Sequence, residues 1–145
     1  MLPSRHLLVS LPLGWAVWSV TQSLFAGIIC LISGTLIDID HLIEYFIHRG
    51  FKTLNLKSIY QSCGKLTRPE TEGGIKKIFL FFHAAEISVL LWTSFVLTEN
   101  IYLLAIALGY TVHLLMDIAA NQVKPATYSL IWRIKKSFQT VYFIK

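Results

Sequence analysis

Residues 7–37, LLVSLPLGWAVWSVTQSLFAGIICLISGTLI, run without a single charged side chain. At about 1.5 Å per residue the run overshoots the roughly 20 residues that one helix needs to cross a bilayer. It is therefore either one overlong helix or two short ones. The polar triplet Thr21, Gln22 and Ser23 sits at its midpoint and predicts a helical hairpin, 7–20 and 24–37, with Pro12 kinking the first arm. Two more apolar runs follow, IFLFFHAAEISVLLWTSFVL (78–97) and IYLLAIALGYTVHLLMDIAA (101–120), separated by Thr98, Glu99 and Asn100. The expectation is an all-α polytopic membrane protein of about four spans in one domain, residues 1–145. Hydrophobic residues make up 54% of the chain and mean hydropathy is +0.59, outside the range of soluble globular domains. No small-residue cleavage site stands out after the first apolar run, so it reads as a retained helix rather than a removed signal.

All thirteen Lys and Arg lie in the N-terminal stub, in residues 49–77, or after residue 123. With four spans these regions share one side, and the positive-inside rule makes that side cytoplasmic, in a bacterial-type inner membrane. The net charge of +5 then reflects topology and contacts with anionic lipid, and no nucleic-acid partner is expected. Residues 50–77 form a long polar loop with Pro69 and Gly73–Gly74 as breakers. The segment 126–145 mixes aromatics with Arg133, Lys135 and Lys136, which suits an interfacial helix. Cys30 falls in an apolar span and Cys63 in the loop, so no disulfide is expected.

The ionisable residues of the apolar regions gather at one membrane face. His6 precedes the first helix; Asp38, Asp40, His41, Glu44 and His48 lie at the exit of the second. His83 and Glu86 are placed at the start of the third, and His113 and Asp117 at the end of the fourth. Asp38–His41, His83–Glu86 and His113–Asp117 are each spaced to share a helix face. A lone intramembrane His more often hydrogen-bonds a neighbouring helix. Three His–carboxylate pairs at one depth, with no Lys or Arg inside the spans, instead leave negative charge that a cation would neutralise. Imidazole and carboxylate without thiolate suit Zn²⁺ first, then Mn²⁺ or Fe²⁺. His48, about 10 Å from His41 along a straight helix, is left to a second ion, to substrate or to the helix end. Glu86 is the candidate general base, and Arg49 the candidate phosphate-binding residue.

The motifs HLL near the start, DIDH after the hairpin, HRGF shortly after and GYTVHLLMD late in the chain resemble the YdjM-type membrane-bound metal-dependent hydrolases. More distantly, the helical His/Asp set is similar to that of zinc-dependent phospholipase C and related nucleases. The likeness covers roughly residues 5–50 and 78–122. It implicates His6, Asp38, Asp40, His41, His48, His83, His113 and Asp117 as metal ligands. Where YdjM-like sequences continue from HRGF into Thr-His-Ser, this chain inserts a long polar segment and then HAAE, with Glu86 as an added carboxylate. The resulting expectation is hydrolysis of an ester, foremost a phosphoester of a lipid or other membrane-proximal substrate. Two rivals stand beside it. One is a non-catalytic membrane protein whose metal is structural and which acts through protein partners. The other is a haem protein ligated by His83 and His113, which the many carboxylates disfavour.

Overall fold

The computed structural model describes residues 3–50, 77–121 and 123–143, with the backbone alone for His48 and Arg49. The described residues are helical, with one isolated antiparallel bridge between Lys77 and Gln139. Helix α1 (Pro3–Thr21) opens on Pro3 in the first turn, where a missing N–H costs nothing. It ends where Gln22 turns left-handed at φ 54°. The Ser23 hydroxyl then accepts the Ala26 N–H at 3.3 Å and starts α2 (Leu24–Thr35). The predicted hairpin break is therefore where the polar triplet placed it.

The second arm does not stop at residue 37. A 3₁₀ turn, Leu36–Asp38, carries α2 into α3 (Ile39–Arg49), so Asp38, Asp40, His41 and Glu44 lie within a longer helical rod rather than at its exit. The third expected span is also shorter than predicted. Helix α4 covers only Ala85–Thr98, and residues 78–84 form an irregular strap with Leu80 at φ 39°. The strap's polar backbone is taken up by side chains instead of a helical ladder. The Glu44 carboxylate accepts the Phe79 N–H at 3.2 and 3.3 Å, Asp40 accepts the Phe82 N–H, and Arg133 donates to the Phe79 and Leu80 carbonyls. Glu99 then turns left-handed at φ 53°, and Asn100 caps α5 (Ile101–Ala120) by accepting the Tyr102 N–H at 2.8 Å.

Among the described residues, two helical stretches are long and apolar enough to cross a membrane, Leu24–Ile47 and Ile101–Ala120. Helix α1 is long enough but too polar, and α4 is apolar but has only 14 residues. The C-terminal segment is not one interfacial helix. It is a 3₁₀ turn at Pro125–Tyr128, a short helix α6 (Leu130–Lys135) and a second 3₁₀ turn at Thr140–Tyr142. The expected loop 50–77 falls almost wholly outside the described residues, as does Cys63; Cys30 is buried with a free thiol.

Helix α5 packs against α1, α2 and α4. The crossings are close because small residues meet there. A Cβ on Gly14 would stand 2.8 Å from the Gly27 carbonyl oxygen, and one on Gly109 would collide with the Cys30 carbonyl and the Ser33 hydroxyl. One apolar layer, Val17, Ala26, Cys30 and Ala105, fills the hairpin end. A second, Ile37, Tyr110, Leu114, Val123 and Tyr128, lies at the other end beside the ionisable cluster.

Candidate metal centre

Four elements and the strap bring the cluster together. His6 comes from the second turn of α1, Asp38 from the 3₁₀ turn and His41 from the first turn of α3. His83 comes from the strap, one residue before the α4 cap, and His113 and Asp117 from one face of α5. All six are buried, His6 completely and none more than 7% exposed. They form two overlapping quartets whose ligand atoms lie within 4.8 Å of one another. The first is His6, Asp38, His113 and Asp117; the second is Asp38, His41, His83 and Asp117.

The spacing suits coordination. Zinc ligands bound at about 2.0–2.1 Å stand about 3.4 Å apart around a tetrahedron. His6 Nε2 is 3.2 Å from Asp117 Oδ1 and 3.9 Å from Asp38 Oδ2. His83 Nε2 is 3.4 Å from Asp117 Oδ2 and 3.6 Å from Asp38 Oδ1. His113 Nε2 is 3.6 Å from Asp38 Oδ1, and His41 Nε2 is 3.8 Å from the same oxygen. The Nε2 atoms of His83 and His113 are only 3.3 Å apart, which leaves no room for a porphyrin between them and removes the bis-His haem reading.

Outer contacts fix two imidazoles with Nε2 facing inward. The Gly34 carbonyl can only accept, so His113 donates to it from Nδ1–H at 3.0 Å. Asp40 Oδ2 lies 3.3 Å from His83 Nδ1 and serves the same purpose. Carboxylate or carbonyl behind imidazole is the usual support of a metal-ligating histidine. Asp40, predicted as a ligand, thus stands behind His83 and orients it. By contrast both nitrogens of His6 and His41 and both oxygens of Asp38 have no hydrogen-bond partner among the described residues. Each such buried atom costs on the order of 1–3 kcal/mol if left unsatisfied. The Nε2 atoms of His6 and His41 and the two oxygens of Asp38 face the cluster, which fits a cation-binding group better than an apolar helix contact.

His83 lies outside the spanning helices. Burial opposes its charge, yet the carboxylates of Asp117, Asp38 and Asp40 outweigh burial and push its pKa up to about 10. A proton on His83 partly offsets the carboxylates when no metal does.

Glu86 does not share a face with His83, because His83 precedes the helix and the helical i, i+3 relation does not apply. Its carboxylate points to the C-terminal segment and accepts from Ser129 Oγ at 2.5 Å, Leu130 N–H at 2.8 Å and Ile131 N–H at 3.1 Å. It caps α6 and belongs to neither ligand quartet. His48 and Arg49 lie in α3, and their side chains, and with them the roles expected of both, fall outside the described residues.

Arg133 is the residue that sequence reasoning missed. It is 1% exposed and donates from Nη1 to the Phe79 and Leu80 carbonyls and from Nη2 to the His83 carbonyl at 3.0 Å. Its Nε has no partner among the described residues. Burial lowers its pKa against the nearby carboxylates Asp40, Glu86 and Glu44. A cavity of about 30 Å³, room for about two waters, is bordered by His41, His83 and Asp117 on one side and Asn121, Tyr128 and Arg133 on the other. Asn121 Nδ2 donates to the Tyr128 hydroxyl oxygen at 2.9 Å, which leaves the phenol hydrogen to donate elsewhere. The one sequence signal for Arg133 was a basic residue set between Trp132 and Ile134.

Compared with known proteins, the chain matches no family model, no curated protein and no solved structure. Fold and site together define an all-helical protein with a buried His/Asp cluster able to hold a metal ion.

Proposed function

We propose that this chain is a membrane-embedded, metal-dependent hydrolase acting on a phosphoester or other ester at the membrane surface. The observation that carries the reading is the convergence of His6, Asp38, His41, His83, His113 and Asp117, of which His6, Asp38 and His41 carry buried polar atoms without a hydrogen-bond partner among the described residues. A divalent cation held there, Zn²⁺ first and Mn²⁺ or Fe²⁺ next, supplies an acidified water and polarises a phosphoryl or acyl oxygen. The chain's own part is to aim the imidazoles through Gly34 and Asp40 and to exclude bulk water. It also offers donors, the Tyr128 hydroxyl and Arg133 Nε, at the rim of the cavity. The motif likeness to YdjM-type hydrolases supports the same reading.

Membrane embedding is supported by which side chains lie inside. The largest fully buried side chains include Arg133, His6, His113, Glu44 and Asp117, whereas Leu8, Phe25 and Leu97 are 69%, 71% and 79% exposed. Apolar faces this extensive suit lipid better than water. In the proposed arrangement α1 and α4 complete a four-helix set around the two longer stretches, the 14-residue α4 being accommodated by local thinning of the bilayer. The basic residues Arg5, Lys77, Lys124, Lys135 and Lys136 support a cytoplasmic side for the cluster under the positive-inside rule.

One observation favours a second reading. The cavity is small and the ligands closed in, as in structural metal sites, so a non-catalytic protein acting through partners is the rival. Chelator-stripped protein in detergent, reloaded with Zn²⁺ or Mn²⁺ and assayed on lipid and soluble phosphoesters, separates the two. Metal-restored turnover is expected. Bound metal with no turnover on any substrate would leave the structural reading.

A further inference from the structure

We infer that the cluster holds two divalent ions bridged by the carboxylates of Asp38 and Asp117; the inference rests on the metal-site reading above. Each carboxylate turns its two oxygens to different histidines. Asp38 presents Oδ2 to His6 at 3.9 Å and Oδ1 to His41, His83 and His113 at 3.8, 3.6 and 3.6 Å. Asp117 presents Oδ1 to His6 at 3.2 Å and Oδ2 to His83 and His113 at 3.4 and 3.9 Å. That is the disposition of a bridging carboxylate, one oxygen for each ion.

Donor number points the same way. Four imidazole nitrogens and four carboxylate oxygens exceed what one four-coordinate ion takes. His6, facing Asp38 Oδ2 and Asp117 Oδ1, serves one ion; His83 and His113, both facing Asp38 Oδ1 and Asp117 Oδ2, serve the other together with His41. The second quartet borders the cavity through His41, His83 and Asp117. Two ions against two bridging carboxylates leave surplus positive charge, reduced by Asp40 behind His83. A surplus of that sign selects an anionic substrate, and paired ions roughly 3.5–4 Å apart suit in-line displacement at phosphorus.

The test is Mn²⁺ titration of the chelator-stripped full chain in detergent, followed by electron paramagnetic resonance and elemental analysis. Saturation at two Mn²⁺ per chain with the spectrum of an exchange-coupled pair is expected. His6→Ala, in protein whose helical circular dichroism is unchanged, should then bind one Mn²⁺ with an uncoupled spectrum. Saturation of the wild type at one uncoupled ion would overturn the two-ion centre while leaving the metal site intact. No tight binding at all would overturn both.

Discussion

At the scale of single residues the site separates groups that face the cluster from groups that hold it in place, and the difference is measurable. Glu86 accepts three hydrogen bonds from the start of α6. Glu86→Gln should lower the melting temperature by the equivalent of about 1–2 kcal/mol and leave metal content unchanged. A fall in metal content would return Glu86 to the site. His83 carries a pH signature in the metal-free protein. Folding raises its pKa from 6.5 to about 10, so the folded state holds that proton more tightly than the unfolded chain. The resulting stability is fully present below about pH 6.5 and is lost as pH climbs through about 10. Thermal unfolding of chelator-treated protein should therefore show a melting temperature that declines across this window; a rise would contradict the assignment. The ligand types were legible in the sequence, because His and Asp at helical spacing in apolar surroundings need compensation. The division of labour between Asp38 and Asp40 was not, since it depends on the 3₁₀ turn that sends Asp38 toward four histidines and Asp40 toward the strap.

At the scale of elements, both hairpin breaks were readable because they are local. Thr21–Ser23 and Thr98–Asn100 carry their own left-handed residue and capping side chain. The strap at 78–84 was not readable. IFLFF looks like the start of a span, and what keeps it from being helical is distant in sequence: Glu44, Asp40 and Arg133. Hydrogen exchange tests this account. The Phe79 amide should be protected although it lies outside any helix, and Glu44→Ala should release it while α5 amides stay protected. Protection that survives Glu44→Ala would mean that something other than that carboxylate orders the strap. The helix crossings also set the site. Gly109 lies one turn before His113 and against Cys30, so Gly109→Val should separate α2 from α5 and reduce metal content along with stability. Unchanged metal content in that variant would show that the cluster tolerates a displaced α5.

At the scale of the whole molecule, charge and imidazole are buried beside two apolar layers while many Leu, Phe and Trp side chains are exposed. Which helices are long and apolar enough to cross a membrane was less legible, because α1 is less apolar than α2 and α5 and the third apolar run divides between strap and helix. A cysteine at Ser58, with Cys63 removed, should resist an impermeant thiol reagent in intact cells and react after lysis; labelling of intact cells would put the cluster on the outer side. The central claim is that the cluster binds a divalent cation, and thermal unfolding under Zn²⁺ titration tests it most directly. At about one hundred times Kd the bound ion should add about 2.7 kcal/mol and a clear rise in melting temperature, absent in Asp117→Ala and retained in Glu99→Ala. A wild-type melting temperature that Zn²⁺ and Mn²⁺ leave unmoved, in protein that carries no metal on elemental analysis, would contradict it.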